Sequence, residues 1–123
     1  MYKHVIYVVP TFANPSGRIM SLGRRRQLVR LARQYDALII ADDVYDMLQW
    51  PASAENHDSF AERACLPRIV DIDRYLDGGP ADAFGNAVSN GSFSKIIGPG
   101  CRTGWAEGTE KLAYGISQTY VHS

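Results

Sequence analysis

Apolar and polar positions are distributed along this chain in blocks of changing period. His4-Val5-Ile6-Tyr7-Val8-Val9 is a β-branched and aromatic run closed by Pro10, the pattern of a buried strand. Asn14-Pro15-Ser16-Gly17 then packs turn formers together, so Thr11 to Arg18 reads as a loop. Ser21 is placed to cap a helix on which Leu28, Leu31, Ala32 and Tyr35 recur at three- and four-residue spacing. Arg24, Arg25, Arg26, Arg30 and Arg33 fall mostly off that face, and the run Arg24-Arg25-Arg26 reads as the solvated side of the helix. Asp36 ends the helix, and Ala37-Leu38-Ile39-Ile40-Ala41 is a second apolar strand. Strand, helix and strand make a βαβ unit with a parallel sheet.

The second half continues the alternation. Pro51 to Glu62 is polar and mixed and reads as a surface loop, and Arg68 to Asp73 reads as a short strand. Asp77 to Asn86, rich in Gly, Pro and Asp, predicts another loop. Ala87-Val88-Ser89 predicts a strand that delivers Gly91-Ser92-Phe93-Ser94-Lys95 to its end. Gly98-Pro99-Gly100 forms a tight loop, and Thr103 to Ala106 a further strand. Thr109 caps a last helix carrying Leu112, Ile116 and Tyr120. The fold class is α/β: a mainly parallel sheet flanked by helices.

Composition narrows the partners. Thirteen basic and thirteen acidic residues balance among 123, which gives no electrostatic reason to expect nucleic acid or an anionic membrane. The longest apolar stretches, Val5 to Pro10 and Ala37 to Ala41, are far too short to cross a bilayer. Cys65 and Cys101 form no CxxC pair, and His4, His57 and His122 lack ligand spacing, so no metal site is expected. With no secretory pattern at the start, a reduced, cytoplasmic setting is the expectation. The chain enters a strand almost at once and stops within a helical pattern, the look of a fragment.

Open α/β sheets present ligands at the carboxyl ends of their strands. Four groups fall at such ends: Asn14, then Asp42 to Tyr45, then Ser92 to Lys95, then Arg102 in the next loop. Each has an ordinary alternative. Asn14 is a plain turn residue, Tyr45 a half-buried aromatic, Arg102 a surface ion-pair partner, Lys95 a solvated lysine, and the serines a strand-end loop. By position alone, Asp43 competes with Asp42 as the useful carboxylate.

Taken together, Asn14-Pro15-Ser16-Gly17, Asp42-Asp43-Val44-Tyr45, and Ser92-Phe93-Ser94-Lys95 followed by Gly98-Pro99-Gly100-Cys101-Arg102-Thr103-Gly104-Trp105 resemble the class I/II aminotransferases. These are enzymes of fold type I that use pyridoxal 5′-phosphate (PLP). The pattern is most similar to the aromatic, kynurenine and 2-aminoadipate branch. One motif alone is weakly specific; three in this order, with Asp three residues before Tyr and Arg seven after Lys, are far more so. The resemblance implies that Lys95 forms a Schiff base with PLP and then carries the substrate proton, for which its amine must be neutral. It selects Asp42 over Asp43, by the Asp-x-x-Tyr spacing, as partner of the pyridinium nitrogen. Tyr45 and Asn14 would hold the cofactor's phenolic oxygen, and Ser92, Ser94 and Arg102 its phosphate. The implied substrates are an amino acid and a 2-oxo acid, and the implied assembly is a homodimer.

The chain also departs from the family pattern. A glycine-rich phosphate-binding segment would lie upstream, and the small C-terminal domain with its carboxylate-gripping arginine downstream. Residues 1–123 are therefore expected to be a central part of the large domain, and a poor catalyst alone. Residues 56–82 read as an insertion. Three other readings stand beside transamination: a β-lyase or synthase of the same fold, a PLP-binding regulatory domain, and an inactive remnant. Release of ammonia and pyruvate would mark the lyase, an upstream winged helix the regulator, and failure to bind PLP the remnant.

Overall fold

A computed structural model describes residues 2–48 and 66–119. Cys65, His57, His122, Tyr120 and the Pro51–Glu62 loop reading lie outside the described residues, as do residues 56–65 of the 56–82 insertion reading. The elements are β1 (His4–Val8), α1 (Leu22–Gln34), β2 (Ala37–Asp42), α2 (Ile69–Tyr75), β3 (Ala87–Ser92), β4 (Gly104–Glu107) and α3 (Glu110–Gln118). The sheet order is β1-β2-β3-β4. The first three strands are parallel, with Ile6 opposite Ile39 and Ile39 opposite Ala87, and β4 returns antiparallel with Ser89 opposite Glu107. The expected βαβ unit is present.

Register assigns the two faces. Residues in register share a face, and neighbours along a strand alternate. Ala37, Ile39, Ala41 and Ala87 are buried together with Val29 and Ala32 of α1 and Ile69, Val70 and Ile72 of α2. The opposite face carries Tyr7, Ile40 and Val88 in one row and Asp42 and Asn90 in the next. One aspartate and one asparagine, both buried, close one end of the core. Asp73 accepts from the Arg33 guanidinium and from the backbone N–H of Asn86, whose side chain in turn donates to the carbonyl of Ala37.

Two expectations need correction. Arg68 to Asp73 is not a strand: α2 begins at Ile69, with the backbone N–H of Arg68 donating to Asp71 Oδ2 at 3.0 Å. Ile69, Val70, Ile72 and Asp73 are buried, a spacing of one, three and four that a helix turns to one side and a strand cannot. The inner face of α1 is also rotated from the one expected. Leu31 and Tyr35 are 46% and 54% exposed, whereas Val29, Ala32 and Arg25 are 0% exposed. Ser21 does cap α1, accepting from the Arg24 N–H, and Thr109 caps α3 by accepting from the Leu112 N–H.

Arg25 is thus no part of a solvated arginine face. Its guanidinium donates to the carbonyls of Met20, Pro67 and Pro10 and to Thr11 Oγ1, at 2.9 to 3.1 Å. Those acceptors come from three separate stretches of chain. Arg25 is the internal tie between the end of β1, the start of α1 and the approach to α2.

Candidate active site

The three parallel strands end at one edge of the sheet, and β4, running the other way, starts there. This places the Asn14 loop, the Asp42–Tyr45 turn, the Ser92–Lys95 turn and Arg102 along a single edge. Asn14 is at the exposed tip of a loop closed by an Ala13–Arg18 bridge and by the Met20 N–H donating to the Pro10 carbonyl. Thr11, buried at its base, joins the loop to Arg25 and, through its hydroxyl, to Asp46 Oδ1 at 3.5 Å.

Asp42 and Asp43 have opposite surroundings. Asp42 accepts the Tyr7 O–H on Oδ2 at 2.5 Å, and its Oδ1 is buried with no hydrogen-bond partner among the described residues. Asp43 points to the helix-covered face, where Ser89 Oγ donates to it, and its other oxygen is likewise buried without a partner among the described residues. Burial pushes the Asp43 carboxyl up to about 6, against the lowering effect of Ser89, Arg68 and Arg25. Asp46, nearby, is also raised, first by burial.

The β3 end carries the amine. β3 runs on through Asn90, Gly91 and Ser92, three residues beyond the strand expected at Ala87-Val88-Ser89. The indole of Trp105 lies across Gly91: a Cβ there would come 2.2 Å from its ring. Trp105 also meets the Phe93 ring at 5.0 Å between centroids. Ser92 Oγ accepts from the Ser94 N–H, and the Phe93 carbonyl accepts from the N–H groups of Ile96, Ile97 and Gly98. This tight turn throws Lys95 back over β2's end, where its Nζ sits 5.9 Å from the centroid of the Tyr45 ring. Arg102 is exposed, in the left-handed region at φ 47°.

The structure therefore brings Lys95 to Tyr45, joins Ser92 to Ser94, and puts Asp42 at the end of the neighbouring strand, in register with Asn90. Asn14 and Arg102 border the same edge without touching that group through any hydrogen bond or ion pair among the described residues. Sequence reasoning missed Tyr7. Its only signal was parity, since Tyr7 lies opposite Ile40 and so shares a face with Asp42.

Residues 2–119 match the model of the family Aminotransferase class I and II. This chain is a member of that family. An uncharacterized protein of Saccharomyces cerevisiae is 48% identical over 108 residues, covering 87% of this chain and 23% of its own length. An aromatic amino acid aminotransferase of Schizosaccharomyces pombe is 35% identical over 113 residues, covering 85% of this chain and 22% of its own. Among solved structures, the aminotransferase Aro8 from Candida albicans superposes with a TM-score of 0.74 at 29% identity, over 97% of this chain and 25% of that one. The chain thus spans about a quarter or less of the length of these relatives. The α/β fold-type I architecture expected from the sequence is the one present.

Among the described residues, no helix is long and apolar enough to cross a membrane.

Proposed function

We propose that this chain is the central part of the large domain of a PLP-dependent aminotransferase, with Lys95 as the covalent anchor of the cofactor. The observation that carries the reading is the meeting of Lys95 Nζ with the Tyr45 ring beside an Asp42 oxygen that is buried and has no hydrogen-bond partner among the described residues. A lone buried acceptor is costly unless a donor arrives, and a protonated ring nitrogen is such a donor. The donor set along the edge fits the rest of the group: hydroxyls and a guanidinium for phosphate, a phenol and an amide for a phenolate oxygen.

When bound, PLP supplies an electron sink for negative charge developing at a substrate α-carbon. The residues of this chain do the remainder. Asp42 keeps the ring nitrogen protonated, Tyr45 and Asn14 orient the phenolic oxygen, and Ser92, Ser94 and Arg102 hold the phosphate. Lys95, held at its turn by the hydrogen bonds to the Phe93 carbonyl, takes and returns the proton at the substrate α-carbon. The substrates are an amino acid and a 2-oxo acid, and an aromatic amino acid is the class favoured by the Schizosaccharomyces pombe relative. The remaining parts of the domain, and the group that grips the substrate carboxylate, belong to sequence outside these 123 residues. The working unit is a homodimer in the cytoplasm, in amino acid biosynthesis.

The test is borohydride reduction of the full natural polypeptide that carries this chain, in the presence of PLP, followed by peptide mapping. A phosphopyridoxyl label on Lys95, absent in Lys95→Ala, is the expected result. A label elsewhere, or none, overturns the assignment. Assaying keto-acid formation against ammonia release then separates transamination from elimination.

A further inference from the structure

We propose that Tyr7 is the positioning residue for Asp42: its O–H occupies one carboxylate oxygen and leaves the other turned, free, toward the cofactor ring nitrogen. The inference rests on the reading of Asp42 given above and adds a residue to it.

The geometry is specific. Tyr7 is on β1 and Asp42 on β2, 35 residues apart, and the O–H to Oδ2 distance is 2.5 Å. The two residues are on the same face, Tyr7 opposite Ile40 and Asp42 two positions further along. A carboxylate turns freely about its last torsion unless something fixes it. Here one oxygen is fixed by a phenol donor, and the second is buried and lacks a partner among the described residues. A donor on one oxygen therefore sets the direction of the other. The bond also holds the Tyr7 phenol above its usual value, with burial and the Asp42 charge adding to the effect, so the hydroxyl keeps its proton and remains a donor. Tyr7 is 62% exposed, so loss of its hydroxyl removes little packing. A purely structural role would predict a stability effect; a positioning role predicts an effect routed through Asp42.

The experiment is a double-mutant cycle on the full natural polypeptide, reading the dissociation constant of pyridoxamine 5′-phosphate, which binds without the lysine bond. Hydrogen bonds to charged acceptors have a substantial net effect, so Tyr7→Phe should weaken binding by roughly tenfold, the equivalent of ~1.4 kcal/mol. In an Asp42→Asn background the same change should weaken it less than about twofold, the coupling expected of residues in one hydrogen-bonded unit. The nitrogen-15 shift of the bound, ring-labelled cofactor should move toward the unprotonated value in Tyr7→Phe. Equal effects of Tyr7→Phe in both backgrounds, or no effect in either, overturn the inference; an unmoved nitrogen shift does so as well. If the cofactor binds and labels Lys95 while the cycle is additive, Tyr7 alone has been misassigned. If no form of the protein binds the cofactor, the reading of the site falls and this inference with it.

Discussion

Ser89 Oγ donates to the Asp43 carboxylate at 2.5 Å on the covered side of the sheet, one residue along from the carboxylate that faces the proposed cofactor. Asp43 is 7% exposed, and its position behind the site gives it a consequence for stability rather than for chemistry.

Asp43 is pushed up from 3.8 to about 6, chiefly by burial. Between those values the folded protein binds more protons at this group than the unfolded chain does. Its contribution to stability is therefore full below about 3.8 and is lost as pH rises through about 6. Asp43→Asn should be more stable than the parent at neutral pH by on the order of 1–2 kcal/mol. The advantage should shrink on acidification toward roughly pH 4. Urea midpoints of parent and variant across that range supply the measurement; a difference independent of pH would remove Asp43 as its cause.

Arg25 and Arg24 offer a contrast within one run of sequence. Arg25→Met leaves the carbonyls of Met20 and Pro67 without this donor and should cost on the order of 3 kcal/mol, the penalty of buried acceptors left unsatisfied. Arg24→Ala, on the exposed side, should stay within about 0.5 kcal/mol of the parent. Denaturant unfolding of both variants decides it, and equal midpoints would restore the solvated-face reading.

Gly91 is held by the indole that covers it. Gly91→Ala would place a Cβ 2.2 Å from the Trp105 ring, and overpacking of this kind costs about 1–3 kcal/mol. The same substitution in a Trp105→Leu background should cost less than half as much, because the two positions share one contact. Thermal melts of the four proteins test this; a penalty unchanged by Trp105→Leu would place the strain elsewhere.

The sequence made the scaffold legible where local signals agreed with tertiary ones. The apolar runs at residues 4–9 and 37–41, the caps Ser21 and Thr109, and the turn formers at 14–17 each point to an element that is present. It was less legible where long-range contacts decide. Ile69-Val70-Asp71-Ile72-Asp73 has strand-like composition, but its burial against α1 and β3 and the Arg68–Asp71 contact select a helix. Arg25 looks like its neighbours because nothing local reveals that carbonyls from three stretches of chain converge on it. The candidate site came from motif order and spacing, and the Tyr7 contact escaped because motif reading stops short of the middle of a strand.

Consecutive residues of an extended chain look in opposite directions, and β2 ends in two adjacent acids with different partners. A slip of β2 by a single place would exchange them, sending one acid into the hydrocarbon interior and the sequestered one out to the face of the proposed site. One inserted or deleted residue in residues 37–42 should therefore be far more damaging than the same change in the Asn14 loop. The strand's phase acts as a selector between two chemically identical side chains.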